Sequence, residues 1–409
     1  MNSEQLFTLA LGLNSPWEVK QVELIEAHDR SQELHIEVGF KKGAKFADET
    51  GTPCSVHDTI RRRWQHLSFF EHLCYLHCDV PRIKTASGKV SQVDVPWARP
   101  GSGFTLLFEA FAMCLIEREM PVKRAAELLK VYQQRLWNVF DYWITRAREQ
   151  DDPSAITTLG IDETSSKKGH HYVTIGVDMD SKRVIHAVEG KGKAAVASIQ
   201  QRLIDKQVKP EHITRASMDL SPAYIAGIAE CFPNAQISFD RFHVVKLLNE
   251  AMDKLRRLEQ KEHALLKGQK YTFLKKPENL TQKQQVKLEE IVTLYPTFGQ
   301  AYRLKVLFND LWDMPNKRAA HDFMVNWCAE VRHHKIGPLI EFTQTLVAHW
   351  YGILSFVESR LTNGLLEGIN HKIQLAKRRA REYRDTNNYI NMIYFLCAKL
   401  SFDYPHRFI

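Results

Sequence analysis

The chain has 409 residues, 44% hydrophobic and 25% charged, a balance that excludes a disordered or fibrous protein and leaves room for two to four domains with real cores. Lys and Arg number 56 against 48 Asp and Glu, and the resulting formal charge of +8 suits a nucleic-acid partner without establishing one. No apolar run reaches the roughly 20 residues that span a bilayer, no leader pattern opens the chain, and seven scattered cysteines form no disulfide framework, so a cytoplasmic setting without membrane contact is expected.

In chain order, residues 1–40 read as a short helix and two strand-like runs, 17–25 and 33–38. Residues 46–99 are rich in Cys, His, Arg and aromatics. Cys54, His57, Cys74, His77 and Cys78 are zinc-ligand types, but structural zinc takes ligand pairs presented by turns. Residues 69–80 instead alternate like a strand, which points neighbours to opposite faces. Buried thiols and surface imidazoles are the favoured reading, with Trp64, Leu67, Phe69, Phe70, Leu73, Tyr75 and Leu76 as core candidates. Pro96, Pro100, Gly101 and Gly103 mark a linker. Three helices follow: a buried one over 104–119, one over 121–130 with Pro121 in its first turn, and one over 133–148. The last two form a helix-turn-helix candidate. Its final helix carries Gln133, Gln134, Arg135, Asn138, Arg146 and Arg148, types that reach phosphates and base edges. A plain three-helix bundle with a solvated polar face fits the same pattern equally.

Residues 155–191 contain three runs of β-branched and apolar residues, 156–161, 172–177 and 183–188, joined by tight polar loops as in an antiparallel meander. A helix over 193–206, a strand over 212–218, a helix opened by Ser221 and Pro222, a strand over 236–239 and a long helix from 244 follow. Hairpin-paired strands succeeded by strands linked through helices imply an α/β domain, a mixed sheet with helices on its faces. Residues 258–345 are charged and helical, with Thr281 in a cap region, and read as an all-helical insertion. In the last part, Thr362 or Asn363 caps a helix that places Glu367 and Asn370 one turn apart, while Gly364 and Gly368 leave room for close approach. The densest basic cluster comes next: Lys372, Lys377, Arg378, Arg379, Arg381 and Arg384, with Tyr383 embedded. It suits a polyphosphate partner.

Asp162 and Asp219 both end strands of one sheet, and Glu367 sits early in a helix that can pack across it. Converging carboxylates of this kind hold paired divalent ions about 3.5–4 Å apart. Hard oxygen donors suit Mg²⁺, with Mn²⁺ tolerated.

Four segments carry a family resemblance: GIDETSSKKGHHYVT, SMDLSPAYI, FDRFHVVKLLNEA and LTNGLLEGINHKI, with VPWARPGSGFTLLFEA ahead of them. In this order they resemble bacterial insertion-sequence transposases of the ISL-three family. The resemblance implies a DDE catalytic triad, Asp162, Asp219 and Glu367, on an RNase H-like fold with two Mg²⁺ ions per site. It also implies cut-and-paste strand cleavage and transfer, with terminal inverted repeats and target DNA as partners and a homodimer on paired ends. Asp240 and His243 match a supporting Asp-x-x-His element, although His243 reads equally as a core-packed ring; Asn370 is a further supporting candidate. The expected organisation is a β-rich, degenerate zinc-ribbon-like domain over 1–100 and a helix-turn-helix domain over 101–150. A catalytic core over 155–257 and 346–409 then flanks the helical insertion. The chain departs from the family pattern at Ala47, Thr50 and Thr85, where zinc ligands are expected, so no structural zinc is expected. It departs also at Lys130 and Glu382, positions often held by Gly. A DNA-binding regulator with its catalysis unused is the alternative, and the three intact acids favour the enzyme.

Overall fold

Strand periodicity dominates the first 100 residues, helices and a second group of strands share the rest, and the computed structural model follows that division. It describes residues 2–27, 32–85, 88–361 and 363–404. Two compact units result: Met1–Ala147 joined by the segment that begins at Ser401, and Arg148–Leu400.

In the first unit, α1 (Ser3–Ala10) is opened by a capping box between Asn2 and Gln5. Six strands follow: β1 (Trp17–Glu26), β2 (Gln32–Phe40), β3 (Lys45–Ala47), β4 (Pro53–Phe69), β5 (His72–Lys84) and β6 (Val90–Gln92). They form one mixed sheet in the order β1-β2-β5-β4-β3, with β6 also on β5. Only β2 and β5 pair in parallel. Alternation sends Leu34, Ile36 and Val38 of β2 and Cys74, Leu76, Cys78 and Val80 of β5 into one core with Trp17, Trp64 and Trp97. The expected core set therefore needs correction. Trp64 and Leu76 are buried, but Leu67, Leu73 and Tyr75 are half-buried and Phe69 and Phe70 are exposed. The reason is the hairpin tip, where β4 ends at Phe69 and Phe70 turns with φ +52. The Pro-Gly stretch before residue 104 is not a free tether either. Trp97 sits in the sheet core, and Gln65 of β4 exchanges backbone hydrogen bonds with Gly103 and Thr105.

The helices α2 (Leu106–Glu117), α3 (Val122–Leu128) and α4 (Gln133–Gln150) come next. Thr105 caps α2 by accepting the Phe108 N–H. Glu109, fully buried in α2, accepts from Arg99 Nε at 2.9 Å, Ser102 Oγ at 2.6 Å and Trp143 Nε1 at 2.9 Å. Three donors satisfy a carboxylate that would otherwise be costly to bury.

The second unit begins with the meander β7 (Thr158–Lys167), β8 (His171–Asp178) and β9 (Arg183–Glu189). Then come α5 (Lys193–Asp205), β10 (Arg215–Met218), α6 (Pro222–Cys231), β11 (Gln236–Phe239) and α7 (Arg241–Glu259). The sheet order is β11-β10-β7-β8-β9. Contacts β7–β8 and β8–β9 are antiparallel, while β10 runs parallel to both β7 and β11. One strand differs from expectation: β7 continues past Asp162 to Lys167, because β8 pairs with it along its whole length. Residues 258–345 carry only helices among those described, chiefly α8 (Lys270–Leu274), α9 (Gln282–Leu294), α10 (Pro296–Leu307), α11 (Lys317–His333) and the start of α12 (Gly337–Ala348). The chain then returns as α13 (Trp350–Ser359), α14 (Gly364–Ala380) and α15 (Thr386–Cys397). A Cβ at Gly352 of α13 would lie 2.4 Å from the Phe239 ring, so α13 rests directly on β11.

Candidate active site

Parallel pairing decides where the acids fall. Ser217 of β10 is in register with Gly160 of β7. Two residues further along each strand are Asp219 and Asp162, so the two aspartates stand side by side. Met218 is in register with Phe239 of β11, and the next residues are Asp219 and Asp240. Three aspartates thus form a row across three adjacent strands. Alternation also gives them one face. Ser217 Oγ, two residues before Asp219, donates to Asn363 Oδ1 at the α14 start, and Thr164, two residues after Asp162, accepts from Gln374 of α14. Glu163 faces the other way, towards Tyr224 of α6.

Helix α14 lies along β7. Asn363, Leu366, Asn370, Gln374 and Lys377, spaced three or four apart, supply its inward stripe. A Cβ at Gly160 would come within 3.1 Å of Leu366 Cδ2. Asn370 Nδ2 donates to Asp162 Oδ2 at 2.6 Å, and Gln374 Nε2 to the Ser165 carbonyl at 3.0 Å. Glu367 falls in the first turn of this helix, exposed, one turn before Asn370. The expected cap is corrected in one respect: Asn363 occupies the cap position, but its side chain accepts from Ser217 and does not cap. Thr362 lies outside the described residues.

The electrostatics tie the acids together. Burial pushes the Asp162 carboxyl up to about 6; the Glu163 N–H and a nearby His243 oppose this, and the Asp219 and Glu163 charges reinforce it. Burial also raises Asp240, with His243 opposing and Glu367 adding to the rise. His243 is half-buried, and its charge is felt by both aspartates. Among the described residues, no three acids or imidazoles already converge as a closed metal shell. Even so, the donor set fits a divalent cation. Two hard carboxylates adjoin, Asp162 in a poorly solvated place, and the buried Asn370 Oδ1 has no hydrogen-bond partner.

The basic cluster divides. Lys372, Arg378, Arg379, Arg381 and Arg384 are exposed, whereas Lys377 is buried and gives its ammonium to the Ser165 carbonyl at 3.1 Å. Lys377 is thus a packing residue and not a phosphate ligand. In the helix-turn-helix, Gln133, Gln134, Arg135 and Asn138 are all exposed on α4. Arg135 stacks on Phe104 at 4.2 Å, and Gln134 donates to Asn138. Arg146 is exposed and paired with Asp403, and the half-buried Arg148 lies over the Tyr394 ring. Gln374 passed unnoticed in the sequence, and Asn363 was named only as a cap and not as a partner of Ser217. The polar stripe of α14 at helical spacing was the signal for both.

A row of acids across three adjacent strands, facing a helix that carries a further carboxylate, is the kind of arrangement used by metal-dependent enzymes of nucleic-acid strands. Comparison with known proteins agrees. A family model described as "Transposase", of the DDE type, matches residues 159–393, and one described as "Helix-turn-helix domain of transposase family ISL3" matches residues 93–144. The chain belongs to the ISL3 family of DDE transposases. It is 25% identical over 388 residues to the transposase for insertion sequence element IS1001 of Bordetella parapertussis, covering 90% of this chain and 92% of that one. It is 26% identical over 354 residues to the transposase for insertion sequence element IS1557 of Mycobacterium tuberculosis, covering 79% and 78%. The protein is accordingly a DNA transposase, a polynucleotidyl-transferase enzyme of a family that works with divalent metal ions. Among the described residues no helix is long and apolar enough to cross a membrane.

Proposed function

We propose that this transposase excises and inserts its element by cut-and-paste strand cleavage and transfer at terminal inverted repeats, with Asp162, Asp219 and Glu367 as the catalytic triad. The observation that carries the reading is the parallel register that brings Asp219 beside Asp162, under a helix that holds Glu367 and ties Asn370 to Asp162. The strand order supports an RNase H-like catalytic core: taken in sequence, the five strands run 3-2-1-4-5 across the sheet, with the second antiparallel. The triad carboxylates would hold two Mg²⁺ ions, with Mn²⁺ accepted. When bound, such ions activate the attacking water or 3′-hydroxyl and stabilise the leaving oxygen. The chain's own groups do the rest. Asn370 fixes the rotamer of Asp162. Asp240 and His243 sit beside the triad and set its charge. Lys372, Arg378, Arg379, Arg381 and Arg384 give phosphate contacts, and Gln133, Gln134, Arg135 and Asn138 read base edges.

The domain boundaries at about residues 100, 150, 257 and 345, a homodimer on paired ends, and work in the cytoplasm at the nucleoid complete this reading. So does a first unit that folds without structural zinc. Ala47, Thr50 and Thr85 are no ligands, and burial pushes the Cys74 and Cys78 thiols up to about 12, where a thiolate ligand is disfavoured.

The test removes charge while keeping shape. Asp162→Asn, Asp219→Asn and Glu367→Gln should each reduce cleavage of DNA carrying the element's ends to background in Mg²⁺, while gel-shift affinity for the same DNA is kept. Wild-type cleavage by any one of them removes that residue from the triad. Binding without cleavage by the wild-type protein would favour the regulator.

A further inference from the structure

A cavity of about 390 Å³ opens beside the row of acids. Asp240 and Gly364 stand at its near side, and Leu274 and Lys305 of the helical insertion close its far side. Its third wall is one face of α7. Phe242, Val245 and Asn249 follow at helical spacing and all line it. Two of these are unusual for a helix facing a wall. Phe242 is 57% exposed, its ring held edge-on to His243 at 5.7 Å and 84°, so a flat face is left open. The Asn249 Oδ1 is buried with no hydrogen-bond partner. An acceptor left without a donor in a dry wall is destabilising unless a ligand supplies the donor. Arg241 and Lys276 add positive charge around the same space.

We propose that this cavity receives one unstacked nucleobase from the DNA strand held at Asp162 and Asp219, its ring face on Phe242 and an N–H of its edge donated to Asn249 Oδ1. The inference rests on the strand-cleavage reading above and extends it to the substrate. The volume lies in the range of small-ligand sites, about 300–1,000 Å³, enough for a base with its sugar. An aromatic face and one edge acceptor recognise a base without demanding its identity. The site also gives the helical insertion a task, since Leu274 and Lys305 supply the wall that the sheet and its own helices do not reach.

The experiment uses full-length protein and duplexes carrying the element's end, with 2-aminopurine placed in turn at each nucleotide flanking the cleavage point. Asp162→Asn protein keeps the DNA intact. Fluorescence should rise severalfold at one position and fall back when Phe242→Ala or Asn249→Leu is added. With Asp162 restored, Asn249→Leu should slow cleavage roughly tenfold, the scale of one lost base contact. An abasic nucleotide at the responding position should abolish that difference. The exposed Phe242 is removable without loss of core, and a thermal melt of Asn249→Leu checks its fold. The proposal is overturned if fluorescence stays flat at every position while wild-type protein cuts the same duplex. A rise that neither variant lowers, or a slowing by Asn249→Leu that persists on abasic DNA, overturns it too. Wild-type protein that leaves the duplex uncut overturns the strand-cleavage reading, and this one with it.

Discussion

Lys130 and Glu382 hold left-handed backbone, at φ +53 and +73. Each belongs to a helix end closed by the same pair of bonds. After α3, Val131 N–H reaches the Ala126 carbonyl and Lys130 N–H the Glu127 carbonyl; after α14, Glu382 N–H reaches Lys377 and Arg381 N–H reaches Arg378. This double closure usually carries Gly where Lys130 stands after α3 and Arg381 after α14; Glu382 is the next residue and is left-handed as well. A side chain there costs about 1–2 kcal/mol of backbone strain, of which Gly's extra freedom in the unfolded chain takes back about 0.5–1 kcal/mol. Lys130→Gly and Glu382→Gly should therefore each raise stability by up to about 1 kcal/mol, read as a higher urea midpoint at unchanged slope. A lower midpoint at either position would show that its side chain makes a contact worth more than the strain. At this scale the sequence was informative in an unexpected way. The two departures from glycine fall on left-handed backbone, which only the torsion angles disclose.

At the scale of one element, α14 does three jobs on three faces. It lies on β7, it holds Glu367, and it presents cations. The sheet and the helices were legible from period-2 runs and periodic apolar residues, whereas the place of Asp162 inside β7 was not, because the strand's polar second half carries no apolar alternation. What was not legible is how one helix sorts its own charges. Lys377 and Arg378 are neighbours in a basic run, yet one is buried on Ser165 and the other is exposed; the sorting depends on which face meets β7, a tertiary fact. Arg378→Ala should flatten the dependence of DNA affinity on salt by roughly 0.9 in log–log slope. Lys377→Met should leave that slope unchanged and lower the melting temperature modestly, because the Ser165 carbonyl loses its charged donor and keeps those of Gln374 and Tyr389. Equal slope changes from both variants would return Lys377 to the DNA surface. Asp240 illustrates the same limit. The sequence showed an acid after a strand, while its place in line with Asp162 and Asp219 follows from parallel register, which one strand at a time does not declare.

For the whole molecule, the question is what stabilises the first unit if no metal does. Its core is three tryptophans packed edge-on, Trp17 on Trp97 at 5.0 Å and Trp64 on Trp97 at 5.6 Å, among the alternating aliphatics of the sheet. A structural zinc would contribute on the order of 10 kcal/mol to folding, so its removal would be plain. Purified protein washed with chelator should contain well under one zinc per chain, and chelator should leave its melting temperature unchanged. About one retained zinc, or a large drop on chelation, would mean that ligands were misread.

The buried Glu109 has a consequence for how such proteins can be recombined. Its donors Arg99 and Ser102 lie on the sheet side of residue 103 and Trp143 on the helix side, and Trp97 seals the sheet from the same strap. A chimaera joined after Gly103 inherits the acid and gambles on two of its three donors; one joined before Pro96 keeps the donors but empties the sheet of its central indole. The Pro-Gly stretch that looks like a seam is a weld. Modules exchanged between relatives at that point should fail together, and end recognition should pass between elements as one block of about 147 residues.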